Sequence, residues 1–341
     1  MALDISALQL KPVANGELNG SCPFCGDRKK HFYLNPHKGV YRCFKCGASG
    51  RVDGASHYVP MAPLQREEPL ADDDTLDRVY NILLRALHLS REHREQLMSS
   101  RRGLSAQAIE QNQYKTLPPK DRIGIAGRVA EWVEPRGVPG FYLYTGRHGR
   151  QLWCLAGPSG LLIPMRDFDG RIRGCQIRPD RQIGARYVWL SSANPRRGSN
   201  GTGARAVYHV ARAADSKTVW LTEGPLKADI AASRMGKTFV AVPGVNCWKG
   251  SRVVEDLLAN GVQAVVIAYD SDSVANEHVA RAATELGRAL QKSGIRVSYA
   301  WWPPAKAKGI DDLLLLNAGP RVVNEKAWLR LLKSRGGRVP G

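Results

Sequence analysis

Two Cys-x-x-Cys pairs constrain this chain more than any other feature. Cys22 and Cys25 form one pair, Cys43 and Cys46 the other, and seventeen residues lie between them. A two-residue spacing lets both thiolates of a knuckle bind one ion, and a second knuckle completes a closed tetrahedral sulfur site, the structural form of zinc. Gly26 and Gly47 follow the second cysteine of each knuckle, where the chain turns tightly. Short strands are expected at residues 31–34 and 40–42, so residues 15–58 read as a zinc ribbon. His31 and His37 are ligands in principle, but four cysteines fill the shell and both histidines read as surface residues. The other three cysteines, Cys154, Cys175 and Cys247, are scattered and odd in number. That pattern is a metal site plus buried thiols in a reducing compartment, not a disulfide framework.

The chain has 50 Lys and Arg against 31 Asp and Glu, a formal net charge of +19. So large an excess argues for a polyanionic partner. No apolar run approaches the roughly 20 residues of a spanning helix. The start, MALDISALQL, lacks the charged-then-apolar pattern of a signal peptide. Nucleic acid in the cytoplasm is therefore expected, with no membrane. Lys29, Lys30, Lys38, Arg42 and Lys45 surround the ribbon, interleaved with Phe24, Phe32, Tyr33, Tyr41 and Phe44. Basic and aromatic residues together suit a single strand, through phosphate contacts and base stacking. About half of these aromatics are expected in the ribbon's own core, because so small a module has little else to bury.

A linker is expected over 59–75, with Pro60, Pro63 and Pro69 and a terminal Asp72-Asp73-Asp74. Leu76, Val79, Tyr80, Leu83, Leu84 and Leu87 recur at helical spacing directly afterwards. The acidic run therefore reads as charge at a helix N-terminus rather than a metal site. A helix over 91–99, a stop at Gly103 and a cap at Ser105 complete a helical segment over 76–118. Residues 119–212 are rich in Gly, Pro and Arg, with strands expected at 161–165, 172–177 and 187–190. Alternation puts Arg171 and Arg173 on one face. Such a face could hold a sugar-phosphate backbone, the alternative being a solvated surface.

Residues 213–316 are the most strongly patterned. An apolar run at 219–222 stops at Glu223, and another at 264–269 stops at Asp270-Ser271-Asp272. Further strands are expected at 238–242 and 296–301, with helices over 226–235, 252–260 and 274–293. Alternating strand and helix give a largely parallel sheet, whose strand ends share the edge where ligands bind. Three carboxylates there suit a hard divalent cation, Mg²⁺. Asp311 and Asp312 open a further helix, and residues 317–341 form a basic tail with a helix near 325–333. Gly236-Lys237-Thr238 is not a phosphate-binding loop. Ala231 stands where that motif needs glycine, and the order here is helix, turn, strand. The fold class is thus α+β and α/β multidomain: a zinc ribbon, a small helical linker segment, a basic mixed α+β lobe and a largely parallel α/β domain.

In this order the residues resemble a DNA primase of the bacterial and phage type, with a zinc ribbon ahead of a catalytic core whose second part is a Toprim domain. Glu223-Gly224 and Asp270-Ser271-Asp272 carry the Toprim likeness, and KGIDDLL at 308–314 is similar to the late acidic motif. RRGLS at 101–105 resembles the linker helices. LLIPMRDFDGRIRGCQIRP at 161–179 and RYVWLSS at 186–192 resemble strands of the N-lobe. The resemblance implies Mg²⁺-dependent synthesis of short RNA primers on a single-stranded DNA template from ribonucleoside triphosphates. Glu223, Asp270 and Asp272 would be catalytic, with Asp311 and Asp312 as further Mg²⁺ ligands and Mn²⁺ as a substitute. Glu223 could be ligand or general base. Arg166, Arg171, Arg173, Arg178, Lys227, Lys29 and Lys30 would contact nucleic acid, and a replicative helicase would be a separate chain. Three positions depart from the pattern. Ser271 replaces a usual glycine, Gly309 stands at the first aspartate of the late motif, and Lys227 follows Glu223 by one turn. GPLKAD resembles phage or mobile-element members that lack a helicase domain. The alternatives are a Toprim-type nuclease and a non-catalytic zinc-ribbon initiator or regulator of replication, the latter opposed by the intact carboxylates.

Overall fold

Antiparallel pairing of short strands builds the N-terminal part of the chain, and a mixed sheet wrapped by helices builds the C-terminal part. The computed structural model describes residues 8–13, 16–44, 46, 48–52, 68–146, 149–181, 185–194, 199–213, 216–249, 251–274 and 276–334. Lys45, Gly47, most of the expected linker, residues 195–198 of the basic loop and residues 335–341 of the tail lie outside the described residues. The chain divides into two units, residues 1–67 with 194–200, and the remainder.

In the first unit β1 (Lys11–Pro12), β2 (Leu18–Gly20), β3 (Phe32–Asn35), β4 (Val40–Cys43) and β5 (Ser49–Arg51) form one antiparallel sheet in sequence order. Alternation along β3 turns Phe32 and Leu34 inward, where they pack with Cys22, Cys43 and Val52. Phe32 pairs directly with Cys43 across the sheet, so the second knuckle is anchored to the core. Of the five aromatics, Phe32 is buried, Tyr33 and Tyr41 are half-buried, and Phe24 and Phe44 remain 50% and 64% exposed.

The second unit begins with α1 (Asp73–Ala86), which Asp72 caps by accepting from the Thr75 amide at 2.8 Å. Its apolar stripe, Leu76, Val79, Tyr80, Leu83 and Leu84, is fully buried. Ser90 and Ser105 cap α2 (Arg91–Met98) and α3 (Ala106–Gln111) in the same way. Next come β6 (Lys115–Leu117), α4 (Arg122–Ala130) and the hairpin of β7 (Phe141–Thr145) and β8 (Gln151–Leu155). β9 (Gly160–Arg166), β10 (Ile172–Pro179) and β11 (Val188–Trp189) join β6 in a four-stranded sheet of order β11-β10-β9-β6. One face of it packs on α1 and α4. The two-residue strands β12 (Ala193–Asn194) and β13 (Ser199–Asn200) precede the main sheet in sequence, and residues 194–200 group with the first unit. α4 and the β7–β8 hairpin fall where only turns and short strands were expected.

The main sheet contains β14 (His209–Ala211), β15 (Thr218–Glu223), β16 (Thr238–Val242), β17 (Ala264–Ile267), β18 (Arg296–Trp301) and β19 (Arg321–Val323), in the order β14-β16-β15-β17-β18-β19. The inner four strands are parallel, and β14 and β19 run antiparallel on the two edges. α5 (Pro225–Met235), α6 (Val253–Ala259), α7 (Glu277–Lys292), α8 (Ile310–Leu315) and α9 (Glu325–Ser334) cover both faces. Val219 and Leu221 point to the face under α6, α7 and α9, while Trp220 points to the face under α5 and α8. Burial on both sides explains why these strands read as unbroken apolar runs. The sheet extends one strand beyond each end of the expected 213–316 segment.

Candidate functional site

The four cysteine sulfurs all lie within 4.8 Å of one another. Cys22 Sγ and Cys46 Sγ are 3.8 Å apart, the edge of about 3.8 Å that a tetrahedron with zinc–sulfur bonds of ~2.3 Å requires. The Phe24 amide donates to Cys22 Sγ at 3.4 Å. Burial raises the Cys22 thiol above its ordinary value, a bias that a bound cation reverses. The donor set therefore fits a structural zinc. His31 donates from Nδ1 to the buried Asp27 at 3.0 Å, and His37 is exposed, so neither belongs to the set. Lys29 and Lys30 are exposed on the same module. The Arg42 guanidinium lies 5.3 Å over the Phe44 ring, which meets Tyr33 edge-on.

In the larger unit the strand ends meet as the parallel topology requires. β15 ends at Glu223, and Gly224, at φ +79°, turns the chain into α5. Asp270 lies just past β17 and is followed by a 3-10 turn over Ser271–Val274. The Ser271 hydroxyl donates to the Ala307 carbonyl at 2.7 Å, and its amide donates to the Lys308 carbonyl at 2.8 Å. Those two bonds tie the late acidic loop against Asp270. A cavity of about 770 Å³ results. Glu223, Lys227, Asp270, Asp311 and Asp312 line it together with Arg101, Arg102, Arg178, Arg186 and Lys308. Arg102 donates to Asp311 at 3.1 Å, and Lys227 to Asp270. Asp311 Oδ1 is buried, with no hydrogen-bond partner among the described residues. Asp312 accepts from the Gly309 amide at 3.2 Å and caps α8. Asp272 does not line the cavity, yet its charge acts on Glu223.

Burial pushes the Glu223 carboxyl up to about 7; Lys227 opposes the shift and Asp270 and Asp272 add to it. Burial likewise raises Asp311. Burial alone would lower Lys227, but Asp270, Asp311 and Glu223 hold it above its ordinary value. A carboxyl whose folded value exceeds its unfolded one favours the fold below the unfolded value. That contribution is lost as pH rises through about 7. Without divalent cation, Glu223→Gln is therefore expected to stabilise the protein near pH 8 by on the order of 1–3 kcal/mol, and by less near pH 5. Thermal unfolding at both pH values is the check, and an equal shift at both would contradict it.

The expected arginines separate. Arg178 lines the cavity. Arg166 donates to the Gly170 carbonyl at 2.9 Å and to Gln113, away from the cavity lining. Arg171 pairs with Asp74 at 3.2 Å, and Arg173 with Asp73 and with Asp167 at 3.4 Å. A register irregularity between Ile172 and Gly174 also breaks the simple alternation that placed Arg171 and Arg173 on one face. Arg171 and Arg173 thus bond to the start of α1, while Arg101, Arg102, Arg186 and Lys308, none of them among the expected nucleic-acid contacts, line the cavity. Arg101-Arg102 stand in the turn between the end of α2 at Met98 and Gly103, at φ +60°, and glycine there locates a turn but not what it faces.

A buried network anchors α5 behind the cavity. His209 Nδ1 accepts from the Arg166 amide at 3.0 Å, so Nε2 carries the proton and donates to Asp229 at 3.0 Å. Tyr114 donates to the other Asp229 oxygen. β9, β14 and α5 are thereby held together within one turn of Lys227.

Residues 6–57 match the family model of the CHC2 zinc finger. Residues 208–321 match that of a domain of unknown function, DUF3854. Over 47 residues the chain is 43% identical to a DNA primase of Deinococcus radiodurans, a stretch that spans 14% of this chain and 8% of that protein. The ribbon resembles that of a bacterial primase, and the fold resembles those of primase structures. The zinc-binding and RNA polymerase domains of the Aquifex aeolicus primase superpose with a TM-score of 0.52 at 18% identity, over 96% of this chain and 81% of that one. The RNA polymerase domain of the Mycobacterium tuberculosis primase DnaG gives 0.53 at 16% identity, over 76% of this chain and 87% of that one. At such identities the likeness is one of fold. Among the described residues no helix is long and apolar enough to cross a membrane.

Proposed function

We propose that the chain is a DNA primase, making short RNA primers on single-stranded DNA from ribonucleoside triphosphates. The observation that carries the reading is the cavity at the sheet edge, where carboxylates face arginines, in a chain with a zinc ribbon and a primase-type fold. Oxygen-only donors and the unpartnered Asp311 Oδ1 suit a hard divalent cation. Glu223, Asp270 and Asp272 would hold Mg²⁺, with Asp311 and Asp312 alongside and Mn²⁺ as a substitute. Magnesium, when bound, supplies charge neutralisation to the triphosphate and to the attacking oxygen.

The chain's own groups do the rest. Arg102, Arg178, Arg186 and Lys308 are available to the phosphate oxygens of the incoming nucleotide. The primer 3′-oxygen attacks the α-phosphorus, the bond to pyrophosphate breaks, and the 3′-hydroxyl proton leaves. With its value near 7, Glu223 is suited either to accept that proton or, once ionised, to ligate. Lys29, Lys30 and the exposed Phe24 and Phe44 would hold the single strand against the ribbon. A separate helicase would open the template, and the work would be done in the cytoplasm. Incubation of the full chain with single-stranded DNA, Mg²⁺ and ribonucleotides is expected to yield short oligoribonucleotides. Absence of product on a library of templates, with nicking of plasmid instead, would replace this reading by the nuclease one.

A further inference from the structure

The ammonium of Lys227 stands among the carboxylates that the proposed reaction assigns to metal. We infer that Lys227 takes the place of one divalent cation, so that the cluster binds a single metal ion where two carboxylate-bridged ions could otherwise lie. The inference rests on reading the cluster as a divalent-cation site.

Three observations carry it. Lys227 Nζ bonds Asp270 Oδ1, and the two side chains are only 18% and 16% exposed, so the cation is held within the cluster rather than at its rim. Gly309 leaves the room that this placement needs. A Cβ at Gly309 would lie 2.2 Å from Asp311 Oδ1 and 3.1 Å from Lys227 Cε. Any other residue there would push the lysine stem or the aspartate aside. The third observation is Asp311 itself. Its Oδ1 is buried without a hydrogen-bond partner among the described residues, although its other oxygen accepts from Arg102. That oxygen is balanced by the neighbouring charges of Lys227 and Arg102 rather than by a bond of its own.

Two-metal sites place their ions about 3.5–4 Å apart across bridging carboxylates. Here one oxygen of the central carboxylate, Asp270, is already taken by an ammonium. A second dication beside it would meet a fixed positive charge in a poorly screened place. The second oxygen of Asp270 and the Glu223 carboxylate, both on the cavity wall, are left for one ion. The ammonium carries three N–H donors. Those not used on Asp270 can turn to a phosphate oxygen of the nucleotide, supplying the charge that a second ion would have brought. Lysine at 227 and glycine at 309 are thus parts of one arrangement.

The test is a count of ions, independent of catalysis. Mn²⁺ alone is titrated into the zinc-loaded full chain, and free Mn²⁺ is followed by electron paramagnetic resonance. Asp270→Asn serves to identify binding at the cluster. Wild type is expected to bind one Mn²⁺ per chain there. Lys227→Met, which keeps the stem and removes the charge, is expected to bind a second, or to hold the first at least roughly tenfold more tightly. Lys227→Arg should keep the wild-type count, and Lys227→Gln repeats the measurement should methionine disturb the packing. Two ions in wild type, or unchanged number and affinity in both neutral variants, would overturn the inference while leaving the metal site intact. No Mn²⁺ at the cluster in wild type or variants would overturn the metal site as well.

Discussion

Asp270→Ala is expected to abolish primer synthesis and to destabilise the larger unit at the same time. Activity should fall by at least roughly 10³-fold, the scale of losing one preorganised electrostatic group at a reacting centre. The second effect follows from Lys227. Its ammonium is bonded to Asp270 and mostly shielded from water. Removing the acid leaves a largely buried charge without its direct partner, which costs on the order of 3–5 kcal/mol. Asp311 and Glu223 act on the same ammonium and temper that cost. Two measurements separate the effects. Thermal unfolding should show the loss for Asp270→Ala and its substantial recovery in Asp270→Ala/Lys227→Met, while both variants stay inactive in a priming assay. An Asp270→Ala protein with wild-type melting and wild-type product would remove Asp270 from both roles.

The other large effect concerns the ribbon. Withdrawing zinc, or replacing Cys43 by serine, is expected to unfold residues 8–52 while the larger unit keeps its own melting transition. The buried cluster of the ribbon contains Cys22, Phe32, Leu34, Cys43 and Val52. Two of those five are themselves ligands, so the metal and the core are the same structure. Structural zinc contributes an apparent 10–16 kcal/mol or so in small modules, far more than three apolar side chains supply. The larger unit builds its cores from its own residues. Amide hydrogen exchange after chelation should show fast exchange across β1 to β5, with the strands of the larger unit still protected. Persistent protection there in zinc-free protein would mean that the ribbon folds without its metal.

Strand boundaries in the main sheet were the easiest features to read. The expected 238–242 and 296–301 coincide with β16 and β18, and β16, buried at every position, reads as an unbroken run. The third run was read two residues too long. Ala268 and Tyr269 stay buried and apolar after β17 has left the ladder, so hydropathy does not mark the end. α4 escaped because RIGIAGRVA holds two glycines and its N-cap, Asp121, adopts a left-handed conformation with no side-chain capping bond. At the site, the acidic half lies at strand ends and at the start of α8, which a periodic pattern can locate. The basic half comes from α2's end, β10, the segment before β11 and the loop before α8, and only tertiary packing gathers it. Arg171 and Arg173 show the same limit from the other side: their partners Asp74 and Asp73 lie about a hundred residues away in sequence.

The antiparallel edges of the main sheet bear on how the protein is made. A ribosome releases β14 before any strand it pairs with, and β19 after all the others. Until residues 321–323 emerge, the outer edge of β18 presents bare N–H and C=O groups, the kind of surface on which nascent chains join one another. β19 is only three residues long and largely exposed. It adds little to the core, but it covers the six-residue edge of β18 and leaves in its place an edge only three residues long, too short to template much pairing between neighbouring chains on the polysome.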